Sequence, residues 1–237
     1  MGSWVLISAS WYYSCLSTIL MVIIWFMLIA ALPEALCLDY ANTLSWRGRA
    51  EPSEQLTDVT KLLEWLATTT GLAATATKEL KQWARGRPER ASELFAEAIA
   101  IREAIYAIFS GLASGNAAGD HSLGILNAAL AKAPARRRLA RRNGGYGWRI
   151  ERADLSAPSL LAPVLWSAAD LMVRHDHRRI RQCANEKCLW LFADESKSGT
   201  RRWCDMASCG NRAKASRHYR RHRGEQTDSR KTAPSKG

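Results

Sequence analysis

The sequence predicts a mainly α-helical chain: a helical N-terminal domain carrying one β-hairpin, then a small cysteine-rich module that ends in a basic helix. Three observations carry this. Apolar residues recur at three- and four-residue spacing through the middle of the chain. A single Asn-Gly step separates two strand-like segments there. Four of the six cysteines fall within residues 183–209, beside a run of arginines.

The 237 residues suffice for one large domain or two small ones, and 47% hydrophobic with 24% charged residues excludes a disordered or collagen-like chain. Lys+Arg number 34 against 22 Asp+Glu, a net charge of +12. Residues 174–237 hold 17 of the basic and 7 of the acidic groups, so +10 of that charge sits there. A nearly neutral body with a basic tail fits a polyanion, either nucleic acid or an anionic membrane surface. It does not fit an enzyme that meets an acidic substrate with its whole surface.

Residues 1–33 contain no Asp, Glu, Lys or Arg, and Ile19 to Leu32 is unbroken apolar sequence. As a helix, residues 4–32 would extend about 43 Å, more than a hydrocarbon core of about 30 Å, so a membrane span is physically allowed. No basic n-region precedes the run and no small-residue cleavage site follows, which argues against a signal peptide. Arg47 and Arg49 follow the run and no cation precedes it, so the positive-inside rule leaves the body in the cytoplasm. The other reading is a start codon assigned too far upstream, with the protein beginning near Glu34; the body is then cytoplasmic as well. The membrane is a partner only if residues 4–32 are a genuine span.

In residues 53–67 the positions Leu56, Val59, Leu62, Leu63 and Leu66 form one helical face, with Ser53 as N-cap. Thr77 to Arg85 predicts a shorter helix that buries Leu80 and Trp83. Pro88 suits the first turn of a long helix running to about Ala113, with Leu94, Ile101, Ile105, Ile108 and Leu112 on one face and Gly115 ending it. Asp120 is expected to cap a helix to Ala133. These stripes read as core.

Arg136, Arg137, Arg138, Arg141 and Arg142 then precede Asn143-Gly144-Gly145, and Tyr146 to Glu151 follows, the signature of a hairpin. The five arginines read as a solvated strand edge that resists pairing, or as phosphate contacts. Ser159 to Ile180 predicts a helix burying Leu161, Leu165, Ala168, Ala169 and Met172, with Pro163 in its first turn. His175 and His177, two apart on that helix, would point about 200° away from each other and cannot share one ion.

The four clustered cysteines are spaced Cys183-x4-Cys188-x15-Cys204-x4-Cys209. Two close pairs separated by a spacer are what a tetrahedral thiolate site needs. Two disulfides would require an oxidising compartment. Leu189 to Asp194 reads as a strand, Ser196 to Thr200 as a turn, Arg201 to Cys204 as the return, and Asp205 as the cap of a helix over residues 206–223. Knuckle, hairpin and helix make a treble-clef-like zinc unit, with Cys209 in the helical first turn, where unpaired N–H groups favour a thiolate. Such a unit has almost no core, so one structural Zn2+ must replace it. An iron–sulfur cluster on the same cysteines and a Cys2His2 site on Cys204, Cys209, His218 and His222 are the alternatives; the second would orphan Cys183 and Cys188.

On that helix Arg212, Lys214, Arg217, Arg220, Arg221 and Arg223 fall in one arc of about 200°. A basic helix of this kind is what phosphate or major-groove docking needs. Arg201 and Arg202 add phosphate contacts, while Asn211 and Arg212 stand near the helix start, within reach of base edges. The alternative is a solubilising helix.

Arg202-Trp203-Cys204-Asp205-Met206 and Cys209-Gly210-Asn211-Arg212-Ala213-Lys214 resemble the signature of the CGNR zinc finger, and Cys183-x4-Cys188 with Leu191-Phe192-Ala193-Asp194 is similar to that module's first half. Leu36-Cys37-Leu38-Asp39-Tyr40-Ala41-Asn42-Thr43-Leu44 and Trp46-Arg47 resemble the opening of the ABATE domain that typically precedes it. The resemblance covers residues 36–223. It implies a mostly helical N-terminal domain, zinc at Cys183, Cys188, Cys204 and Cys209, and a bacterial family described as stress-induced transcription regulators. The expected division is a hydrophobic segment 1–33, an ABATE-like domain 34–180, a CGNR zinc finger 181–224 and a disordered tail 225–237.

The expected function is a zinc-dependent DNA-binding transcriptional regulator, stress- or ligand-responsive through the helical domain. Asp39, Asn42 and Arg47 are candidates either for a structural hydrogen-bond network or for a pocket taking an unidentified small-molecule effector. One chain contacts little DNA, which favours a homodimer. The alternative is a zinc-stabilised protein-interaction module, for example with the transcription machinery. Catalysis is not expected, because four thiolates close a zinc site to water and no phosphate loop, nucleophile elbow or HExxH is present.

Overall fold

The computed structural model describes residues 28–29, 35–142, 145–149, 154–174, 179–216 and 219. The first element, β1 (Leu28–Ile29), is a short strand inside the apolar run. Residues 1–27 and 30–34 lie outside the described part, and with them most of the apolar run. Among the described residues no helix is long and apolar enough to cross a membrane.

Helix α1 (Leu36–Ala41) is short but central, with five of its six residues buried. The Tyr40 hydroxyl donates to the Ala98 carbonyl at 2.7 Å, and its ring lies 5.2 Å from that of Trp65. Next come β2 (Leu44–Ser45) and β3 (Ser53–Glu54), paired antiparallel. Ser53 is therefore a strand residue and not a cap. Helix α2 (Val59–Thr70) begins five residues after the predicted start, because Asp58 turns the chain and accepts the Lys61 N–H at 3.0 Å. Leu56 is still buried, but from the loop. Gly71, at φ 73°, ends α2 in the left-handed conformation that glycine adopts without a Cβ clash.

Helix α3 (Ala74–Gly86) buries Leu80 and packs Trp83 against the core. Helix α4 (Pro88–Ala113) starts on its proline as expected. It is the axis of the fold, touching α1, α2, α3, the next two helices in the chain and the strands of the C-terminal module. Leu94, Ala98, Ile101, Ile105 and Ile108 keep one buried face, and Gly115 follows at φ 80°. Helix α5 (Asp120–Lys132) begins at Asp120, but its cap residue is Gly119 and Asp120 makes no capping hydrogen bond.

The hairpin is present: β4 (Arg138–Arg142) pairs with β5 (Gly145–Arg149), Arg142 opposite Gly145 across a two-residue connection at 143–144. β1 pairs with the other edge of β5. Arg136 and Arg137 precede the strand. Arg136 forks onto the Asp170 carboxylate at 2.7 and 2.6 Å and stands over Trp148 and Trp166, tying the hairpin to the helices.

The predicted helix 159–180 is broken into α6 (Ala157–Leu160) and α7 (Ala162–Val173). Ser156 caps α6, and Pro163 sits in the first turn of α7, where its missing N–H costs nothing. Leu161, Leu165 and Ala168 are buried as expected. Ile180 belongs to β6 (Ile180–Gln182), which pairs with β7 (Leu191–Ala193). His175, Asp176 and His177 lie outside the described residues. Ile180 and Leu191 join the same apolar core as the helices, so this hairpin is seated on α4.

Candidate metal centre and basic surface

The first cysteine pair lies at the tip of the β6–β7 hairpin. Asn185 builds its turn: the backbone carbonyl accepts the N–H groups of Cys188 at 2.7 Å and Leu189 at 3.2 Å, and the side-chain oxygen accepts that of Lys187 at 3.1 Å. The predicted order was knuckle and then hairpin; instead the hairpin carries the knuckle. Residues 201–204 return beside it without forming a strand. The Ala184 N–H donates to the Arg202 carbonyl at 2.9 Å, and the buried Asp194 carboxylate accepts the Arg201 N–H at 2.9 Å. Hydrogen bonds from Ser196 and Arg201 hold the Asp194 pKa below the usual carboxylate range.

The second pair is set by Asp205, whose carboxylate accepts the N–H groups of Ala207 and Ser208 at 3.2 and 2.8 Å. This caps a π-helical turn over Met206–Gly210 that continues as α-helix through 211–216. Cys209 lies in its first turn, as expected.

The four sulfurs of Cys183, Cys188, Cys204 and Cys209 lie within 4.8 Å of one another. Cys188 to Cys204 is 3.7 Å and Cys204 to Cys209 is 3.8 Å. A tetrahedron with Zn–S bonds of about 2.3 Å has edges of about 3.8 Å, so the donor set fits zinc in type, number and spacing. Cys183, Cys188 and Cys209 are buried and Cys204 is half-buried; four thiolates leave a tetrahedral ion no position for water. The Asn185 amide donates to the Cys209 sulfur at 3.6 Å, an outer contact that steadies the ligand. A hydrogen bond from Cys204 helps pull the Cys188 thiol down to about 5, and the same contact pushes Cys204 up. Cys188 is thus favoured as a thiolate while Cys183 and Cys204 are held as thiols, and a central dication is what allows clustered thiols to ionise together.

The cluster has little apolar cover of its own: Phe192 is buried with it, and Trp46, Trp190 and Trp203 pack around it. Trp46 comes from the helical part. Further contacts join the two parts. The buried Asn42 amide donates to the Leu191 carbonyl at 2.8 Å, and its oxygen accepts the Leu191 N–H at 3.0 Å. Tyr106 donates to the Leu189 carbonyl at 2.9 Å and accepts from Gln182.

Asp39, Asn42 and Arg47 do not form one cluster. Asp39 is exposed, Asn42 serves β7, and Arg47 holds Glu103 through both guanidinium nitrogens while stacking 3.7 Å over Tyr106. Next to this pair, buried Arg102 forks onto Glu54 at 2.7 Å through both nitrogens. Burial raises the Glu103 pKa, but Arg47 and Arg102 outweigh it and the net shift is downward. Asn185, Glu103 and Tyr106 escaped the sequence reading; an Asn inside a four-residue knuckle is the one signal that pointed to any of them.

Among the cations, Arg201 donates to the carbonyls of Trp203 and Cys204 and lies over Phe192, so it shapes the second knuckle. Arg202 stacks 5.6 Å from Trp203, Asn211 donates back to the Ala207 carbonyl, and Arg212 lies 4.8 Å over Trp46. Arg202, Asn211, Arg212 and Lys214 are all exposed. Arg217, Arg220, Arg221 and Arg223 lie outside the described residues, as do His218 and His222.

A helical body carrying a closed four-thiol knuckle-and-helix module defines the class: a zinc-finger protein with one structural zinc ion. Two family models match the chain. One, ABATE, described as "Putative stress-induced transcription regulator", covers residues 34–175; the other, the CGNR zinc finger, covers residues 179–222. The first alone spans more than half of the chain, and the protein belongs to the ABATE family with a C-terminal CGNR zinc finger. It is a zinc-binding member of a regulator family, and neither matching family is one of enzymes. No curated protein matches the chain.

Proposed function

We propose that this chain is a DNA-binding transcriptional regulator, in which Cys183, Cys188, Cys204 and Cys209 hold the zinc and the helix beginning at Met206 docks on the duplex. The observation that carries this reading is the group of exposed cations that flank the second cysteine pair in the chain. Arg202, Arg212 and Lys214 stand there without a fixed carboxylate partner among the described ion pairs. The same sequence continues into Arg217, Arg220, Arg221 and Arg223. Their phosphate contacts supply affinity, while Asn211 and Arg212 at the helix start reach towards base edges. The helical domain senses an effector or pairs two copies, and the body works in the cytoplasm. The module boundary falls near residue 180, with the 225–237 tail outside both parts.

The test is binding of the zinc-loaded full chain to random and genomic duplexes, followed by sequencing of the bound pool and a salt titration. About six neutralised phosphates give a slope of log K against log salt near −5. A slope near zero overturns the reading. No binding at low salt favours a zinc-stabilised protein-interaction module instead.

A further inference from the structure

A groove of about 930 Å³ runs between the two parts of the molecule. One wall is the loop after β2, with Trp46 and Arg49. The other is the zinc module, with Lys187 on the first knuckle and Trp203 and Arg212 on the second. Arg49 lies 3.9 Å over the Trp46 ring and Arg212 lies 4.8 Å from it, so one indole gathers a cation from each part into a shared space. Arg49, Lys187 and Arg212 are exposed, and Glu186 is the one acid on the lining.

The loop is held in place. Gly48 approaches the first knuckle so closely that a Cβ there would meet the Glu186 carbonyl at 1.7 Å. Trp46 itself has φ 57°, a conformation that costs a bulky residue energy and persists only where its surroundings impose it. Backbone strain thus positions a ring that packs on the cysteine cluster and carries two guanidinium groups.

We propose that this groove takes the DNA phosphate backbone, so that the helical domain contacts the duplex directly through Arg49, with Lys187 contributing from the knuckle. This rests on the DNA-binding reading above and extends it beyond the zinc-module helix. Charge complementarity selects the occupant. Three exposed cations from three separate segments face one acid across the groove, so a polyanion fits it better than a neutral or cationic ligand, and the phosphate backbone of a bound duplex supplies that charge.

The experiment is a salt titration of duplex binding by the zinc-loaded full chain and its R49A, R49K, R49A/K187A and K78A variants, with zinc content measured on each. Lys78 is an exposed cation of α3 outside the groove. Losing one phosphate contact reduces the slope of log K against log salt by about 0.9 and weakens binding about eight-fold at 0.1 M salt. R49A is expected to show that loss and R49A/K187A about twice the slope change. R49K keeps the charge and restores the slope, while K78A matches the parent chain. If the parent chain binds with a steep slope and R49A is identical to it, the groove assignment is wrong and the DNA reading stands. If the parent chain does not bind DNA at low salt, both fall.

Discussion

The helical part and the zinc module reach stability by different routes. Around α1 and α4 a continuous core of Leu36, Tyr40, Leu62, Ile105, Phe109, Leu165 and their neighbours is withdrawn from water. In its own cluster the zinc module buries Phe192 and three cysteines, with Trp190, Trp203 and Cys204 half-buried around them. Burial drives folding in proportion to apolar area, so the first region can fold on its own side chains and the second cannot. The module compensates in two ways: through the ion, and by lending Ile180 and Leu191 to the larger core. A short zinc unit therefore depends on its metal for local order and on its neighbour for anchorage.

The sharpest way to break this contrast is to remove the metal. Chelation, or Cys188→Ser, should cost the module on the order of 10 kcal/mol, the scale of structural zinc in finger peptides. Hydrogen exchange should then show residues 183–216 losing protection while α2, α4 and α5 keep theirs. Equal loss in both regions would mean that the helical core is not self-sufficient.

Asn42→Ala tests the anchorage. It leaves both the N–H and the C=O of buried Leu191 without their partner, at a cost of about 2–4 kcal/mol. The expected outcome in denaturant is a first transition that moves to lower concentration when followed through Trp203 near the zinc, with zinc stoichiometry retained at low denaturant. If the midpoint does not move, the two parts are joined by the shared core alone.

The smallest effect concerns acid. The Glu103 pKa lies below its ordinary value because Arg47 and Arg102 face it. Its contribution is therefore complete above the unfolded-state pKa of about 4.3 and is lost as the pH falls through the lowered folded value. Melting temperatures of the parent chain and E103Q should differ at pH 7 and converge below about pH 4. Parallel curves across that range would remove Glu103 from the account.

The elements that the sequence predicted well are those whose signal is local. The α4 stripe with Pro88 at its start, the Asn143-Gly144 hairpin and the Asp205 cap with Cys209 one turn on all stand in the fold. Each depends on periodicity, on a fixed φ or on a side chain reaching its own backbone. The errors come from choices between two locally acceptable partners. Ser53 and Asp58 can both cap a helix; pairing of Ser53 with Ser45 in the β2–β3 ladder decides for Asp58. Residues 201–204 and 180–182 could each have paired with β7, and Ile180 wins because its side chain enters the core.

By itself, then, the sequence determined the helical class, the hairpin, the cysteine quartet as a thiolate metal site, and the concentration of positive charge near the C-terminus. Only the tertiary structure decided where Asn42, Arg47 and Trp46 belong. Residues 42 and 191 meet because α4 seats the β6–β7 hairpin beside α1, a separation that no local spacing rule encodes. Thiolate number and spacing are properties of a short segment, whereas the groove that gathers Arg49 and Arg212 on one indole exists only once two distant segments are packed together.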